Sequence, residues 1–172
     1  MTTFERAAAF VLKREGGFSN HPADRGGATN KGITAAVYDA YRTKKGLALQ
    51  SVKEITDEEV MDIYHEEYWT AGKCYLMPTK LAIVHFDAAV NCGVARAVKF
   101  LQNALGVIGD GVFGKETMLA LKKCHEGAVV DRYLSARRNF YITLVAQKPS
   151  QSVFLKGWLS RTDALRREVS DC

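Results

Sequence analysis

Glu15, Asp24 and Thr29 are the residues whose types and spacing could do chemistry. Asp24 lies nine positions after Glu15 and Thr29 five after Asp24, all on or beside a glycine-rich segment. Gathered at one cleft, these side chains supply a proton donor, a charge stabiliser or base, and a hydroxyl to orient water. That is a complete set for hydrolysis of a glycosidic bond. Glu15 closes an amphipathic run, so it faces the negative end of a helix dipole, which disfavours a second negative charge. A carboxyl group that keeps its proton is what a departing sugar oxygen needs. The same residues have a second reading. Glu15 is then a solvated helix end, and Asp24 and Thr29 hold a turn through side chain–backbone hydrogen bonds. Residue types and spacing leave both readings open.

The elements that must position these residues are mostly helical. Thr2 and Glu5 form a capping box, followed by Phe4, Ala7, Ala8, Val11 and Leu12 at helical spacing, and Gly16-Gly17 ends the run. Residues 15–34, EGGFSNHPADRGGATNKGIT, hold five glycines and one proline and cannot be a helix. They predict a looped hairpin. Further helices are expected at about 35–44, at about 57–69 behind a second capping box (Thr56 with Glu59), and at about 80–105 with a break near Asn91-Cys92-Gly93. The turn Gly109–Gly114 precedes a short helix at about 115–124, and Pro149 separates two more, at about 127–147 and 151–169. The fold reads as mainly α with one small N-terminal β-hairpin.

A chain of 172 residues fits one domain, or one domain with a closely packed extension. Folding at this size hides about 70% of the unfolded surface, enough for a sizeable core. The net charge of +5 suits any polyanion, including nucleic acid, anionic lipid or an acidic bacterial wall. No helix-turn-helix or RNP-like aromatic pattern singles out nucleic acid. No apolar run reaches the roughly 18–20 residues that cross a bilayer, and the N-terminus lacks the pattern of a secretory signal. The expectation is synthesis in the cytoplasm, no nucleic-acid partner and no stable membrane insertion. Cys74, Cys92, Cys124 and Cys172 are far apart, form no CxxC pair and have no histidine at ligand spacing. They are expected to be reduced and mostly packed, with no metal site and no cofactor.

Glu15-Gly16-Gly17-Phe18, followed by Asp24-Arg25-Gly26-Gly27-Ala28-Thr29-Asn30-Lys31-Gly32-Ile33-Thr34, resembles the signature of glycoside hydrolase family 108, bacterial and prophage N-acetylmuramidases. The family motif usually has Tyr where this chain has Phe18. The Glu-Asp-Thr spacing is also similar to that of phage-type lysozymes, with Thr29 one residue earlier. The similarity continues through Tyr68-Trp69, Phe86-Asp87, Asn91-Cys92-Gly93 and Leu101-Gln102. The family's C-terminal half, a predicted peptidoglycan-binding region, is matched by Asp110–Thr117 and by Phe154–Trp158. The resemblance implies a lysozyme-like α+β fold and cleavage of the β-1,4 bond between N-acetylmuramic acid and N-acetylglucosamine. It implies Glu15 as the catalytic acid, with Asp24 and Thr29 beside it. It divides the chain into a catalytic region, 1–93, and a helical region, 94–172; no Pro-, Gly- or Ser-rich tether separates them, so the two are expected to pack as one unit. The implied partner is bacterial peptidoglycan, met by a monomer after release to the periplasmic wall, for example through a holin, as in a bacteriolytic prophage endolysin.

Four more residues are candidates for substrate contact. Tyr68 and Trp69 could stack on sugar faces, or serve in the core. Asp87 and Asn91, four apart, share a helix face and could line a cleft. Asn91 could also cap the helix before Gly93. His21 reads as a loop residue, and His65, His85 and His125 pair with no nucleophile. Arg132, Arg137 and Arg138 read as a solvated helix face. Two other functions use much of the same evidence: a lytic transglycosylase, which needs one Glu but no base or positioned water, and a non-catalytic wall-binding or secretion accessory protein.

Overall fold

The computed structural model describes residues 1–20 and 27–170. Eight α-helices of these residues surround one core. In chain order they are α1 (Thr3–Arg14), α2 (Ala35–Lys44), α3 (Asp57–Ile63), α4 (Thr79–Cys92), α5 (Val94–Leu105), α6 (Lys115–Lys122), α7 (Glu126–Gln147) and α8 (Ser152–Ser170). The fold is mainly α and lysozyme-like, with a small two-stranded sheet, as the sequence leads one to expect. Both capping boxes are formed: Thr2 and Thr56 each accept from the backbone of the glutamate three residues on, which bonds back. The helix expected to end near residue 69 changes character on the way. Past α3 it widens into a π-helical turn, Tyr64–Thr70, which turns Tyr64, Tyr68 and Trp69 inward.

The centre of the fold is α4. Every residue from Leu81 to Val90 is buried, so this helix is wrapped on all sides rather than on one face. It packs against α1, α5, α7, α8 and the π-helical turn. The core runs continuously from Ala7 to Val169 and draws on residues both before and after Gly93. In the half after Gly93, Val98, Leu101 and Leu134 are buried. Leu119 points to solvent, because α6 is short and turns only Thr117 and Leu121 inward.

The sheet consists of β1 (Thr29–Asn30) and β2 (Ile33–Thr34), paired antiparallel, with Ser19 bridged to Thr29 on the outer side. Lys31 (φ 49°) and Gly32 (φ 74°) form the two-residue connection. Positive φ at both positions matches the twist of a tight hairpin. At Gly32 a side chain would also crowd the candidate acid, since a Cβ there would lie 3.0 Å from the Glu15 carboxyl carbon. The hairpin turn is thus laid directly against the candidate acid.

Candidate active site

Glu15 is the C-cap of α1. Its backbone has already left the helix (φ −75°, ψ 131°) while its N–H still bonds to the Val11 carbonyl. The side chain leans on Gly32 of the hairpin and keeps 16% of its surface open to solvent. A cleft of about 480 Å³ opens in front of it, lined by Leu12, Gly16, Gly17, Lys31, Asp57, Val60 and Met61. Lys31 pairs with Asp57 across this cleft. Tyr64 donates its hydroxyl to the Lys31 carbonyl at 2.6 Å and so fixes the hairpin turn from behind. Burial pushes the Tyr64 phenol up, and the negative charge of Glu15 adds to that shift, so the hydroxyl stays a donor.

One oxygen of Glu15 is held by charge. Arg161 of α8 donates from Nη1 to Glu15 Oε1 at 2.5 Å. The same guanidinium reaches Asp87 on α4: Nε lies 2.9 and 3.2 Å from its two oxygens. Nη2 lies 2.8 Å from Asp87 Oδ1 without hydrogen-bond alignment, so its attraction there is Coulombic only. On the far side Arg137 of α7 donates to Asp87 Oδ2 at 2.5 Å and, from Nε, to the Tyr141 hydroxyl. Two carboxylates and two guanidiniums therefore alternate from the cleft into the core. Asp87 and Arg137 are 0% exposed. Burial alone would raise the Asp87 carboxyl, but the two guanidiniums outweigh it and hold Asp87 below the ordinary carboxylate range.

The other predicted site residues fall in different places. Asp24 and His21 lie outside the described residues. Thr29 is on β1, where its hydroxyl donates to the Gly27 carbonyl at 3.1 Å, the turn-holding bond. Tyr68 and Trp69 are buried. Trp69 packs edge-on against Phe4 and Phe86, and Tyr68 against Tyr64, with its phenol raised to about 12 by burial and then by Glu67 and Glu15. The face shared by Asp87 and Asn91 exists, but it looks onto α7 rather than into an open cleft. Asp87 is enclosed, and Asn91 Oδ1 accepts from the Tyr141 hydroxyl at 2.6 Å and from Arg137 at 3.3 Å. Asn91 does border a groove of about 320 Å³ with Arg14, Gly157, Trp158 and Arg161. The reading of Arg137 as solvated is corrected outright, since the carboxylate of Asp87 draws it fully inside.

Arg137 and Arg161 are the site residues that sequence reasoning missed. A signal existed. Arg137 interrupts the buried stripe Val130, Tyr133, Leu134, Tyr141 on α7, and Arg161 sits beside the buried stripe Thr162, Leu165, Val169 on α8. A cation at a core-facing position demands a buried anion. Among the described residues no cluster of three or more His, Cys, Asp or Glu side chains could hold a metal.

A family model for glycosyl hydrolase 108 matches residues 8–93, a span that includes Glu15, the hairpin and α4. The chain belongs to this family. A second model, for a predicted peptidoglycan domain, matches residues 96–163 and so takes in both Arg137 and Arg161. The solved structure of SagA from Brucella abortus is 34% identical, with a TM-score of 0.83 over 98% of this chain and 94% of its own. Curated protein sequences give no significant match. A family 108 glycoside hydrolase joined to a peptidoglycan domain is a peptidoglycan hydrolase.

Proposed function

We propose that this family 108 protein is an N-acetylmuramidase that cleaves the β-1,4 bond between N-acetylmuramic acid and N-acetylglucosamine, with Glu15 as general acid. The observation that carries this reading is the setting of Glu15. It is a carboxyl at a helix end, backed by a glycine turn and open to a cleft. In the step assigned to it, the bond from the anomeric carbon to the bridging oxygen breaks. Its electron pair stays on that oxygen, which takes the proton of Glu15. Water then adds to the anomeric carbon. Asp24 is assigned to stabilise the developing positive charge or to accept the water proton, and Thr29 to orient that water. Asn91 is assigned to substrate contact from the groove it borders, and the buried Tyr68 and Trp69 to the core. Release to the periplasmic wall as a bacteriolytic endolysin would give this activity its substrate.

Digestion of purified sacculi tests the reading. Glu15→Gln keeps the side-chain shape without the transferable proton, so lysis falls by a factor on the order of 100 or more while the fold persists. Asp24→Asn costs nearly as much, and Thr29→Ala less. Products ending in reducing N-acetylmuramic acid support hydrolysis, whereas anhydro ends, lighter by one water, identify a transglycosylase. Wild-type clearing by folded Glu15→Gln protein removes Glu15 from the mechanism.

A further inference from the structure

The geometry points to Arg161 as a positioning residue for catalysis: a side chain of the C-terminal half that holds the Glu15 carboxyl in its working orientation. This rests on the reading of Glu15 as the acid. Among the described residues, Glu15 has little else to hold it. Its helix has ended, and Gly16 and Gly17 follow with open space around them. Gly32 blocks one side of the carboxyl, and Arg161 takes Oε1. Oε2 has no protein hydrogen bond among the described residues, which leaves it for the proton that is to be transferred.

Burial of Asp87 does not by itself call for Arg161. Arg137 already gives that carboxylate a fully enclosed, hydrogen-bonded cation. The second guanidinium, 10% exposed, turns Asp87 into an anchor and spans from it to Glu15. The arrangement also suits an acid that must cycle. When Glu15 is protonated, Arg161 keeps Asp87 as its counter-ion, so no enclosed charge is stranded at either stage. A lysine could not do the same, since one ammonium lacks the planar fork that meets two carboxylates at fixed angles.

The experiment uses the full-length protein and soluble glycan fragments of peptidoglycan. Folding of each variant is checked by circular dichroism. Arg161→Ala should lower kcat by a factor on the order of 10–100, the scale of a misplaced reacting group, with KM little changed. Millimolar guanidinium should restore part of kcat, entering from the groove beside Trp158 that Arg161 lines. In a double-mutant cycle, Glu15→Gln/Arg161→Ala should be no slower than Glu15→Gln alone, because Arg161 acts only through Glu15. Arg161→Lys, which keeps the charge, should still lose kcat and covers the case in which Arg161→Ala does not fold. Wild-type kcat in either folded Arg161 variant, or fully additive losses in the double variant, overturns the inference while Glu15 stands. An active Glu15→Gln protein instead overturns the reading of Glu15, and the positioning role with it.

Discussion

Two of the polar clusters built into this helical fold differ in how they end. The first is the alternating series Glu15, Arg161, Asp87, Arg137. The second surrounds Gln102 of α5, whose amide nitrogen donates to Asp110 Oδ1 at 2.7 Å and to the Val112 carbonyl at 3.0 Å. Its oxygen accepts from the Gly111 N–H at 2.8 Å, and Asp110 also takes the Val112 N–H. The Gln102 cluster closes on itself: its bonds secure the turn between α5 and α6. The arginine cluster does not close. It begins in the core, with each charge answered by the next, and ends on a carboxyl that solvent can reach. The difference separates a cluster that fastens the chain from one that presents a reactive group. Asp110–Gly114, which resembles a wall-binding motif, has its best polar groups committed internally.

The most drastic way to break the contrast is to cut the chain. The open cluster takes Glu15 and Asp87 from one side of Gly93 and Arg137 and Arg161 from the other. Residues 1–95 alone would keep α4 but lose the α5, α7 and α8 faces that cover it. They would also leave Asp87 without either cation. We expect this fragment to be unfolded by circular dichroism and inactive on sacculi. A folded, active fragment would make the second half a detachable anchor.

Next in size is the buried pair itself. Removing one partner of an enclosed ion pair strands the other, at a cost of about 3–5 kcal/mol. Asp87→Asn, which leaves Arg137 enclosed without a counter-ion, should lower the stability read from urea unfolding by that order, whereas Arg137→Met should cost less, because Arg161 still pairs with Asp87. A loss under about 1 kcal/mol for Asp87→Asn would mean that water reaches these groups freely.

How much of this could be read in the sequence follows from what each feature depends on. The helices were legible because capping boxes and apolar spacing are local, and Glu15 was legible because Gly16-Gly17 marks where α1 must stop. The shared face of Asp87 and Asn91 was legible as a face, but what it faces is set by side chains about 50 and 74 residues away. Ion pairs at such separation leave no period in the chain. Hence Arg137 read as solvated when it is the most enclosed cation of the site. Trp69 stood between sugar contact and core for the same reason: its ring is claimed by Phe4 and Phe86, and the π-helical turn that aims it has no spacing signature.

His85 offers a test that depends on pH. It is enclosed on α4, with Nε2 3.1 Å from the Gly72 carbonyl and Nδ1 3.1 Å from the Tyr133 hydroxyl. Burial lowers its pKa to about 4 from an ordinary value of 6.5. The unfolded chain therefore binds a proton near pH 6.5 that the folded chain refuses until near pH 4. Stability is complete above the upper value and falls as pH drops through this window, by about 3 kcal/mol in all. Urea unfolding between pH 4 and 7 should show the slope, and His85→Gln should flatten it even if the variant is weaker throughout. An unchanged slope would assign the acid sensitivity to the carboxylates.

The smallest effect expected comes from the closed cluster, and it decides whether closure means what the comparison says. Gln102→Leu keeps roughly the volume but leaves Asp110, the Val112 carbonyl and the Gly111 N–H without their shared partner. Since this turn lies near the surface, water can replace part of what is lost, and the cost should be about 1–3 kcal/mol. Gly111 confines the response further: its φ is 84°, and the Ala95 carbonyl lies 3.0 Å from where a Cβ would stand, so the turn has little room to rearrange. The variant should thus melt at a lower temperature yet cleave soluble glycan fragments at the wild-type rate per folded molecule. Retention on sacculi should also persist if the turn is a fastening. Loss of retention at full stability would instead make Asp110–Gly114 a wall contact, and the two clusters would then differ in what they bind rather than in whether they bind.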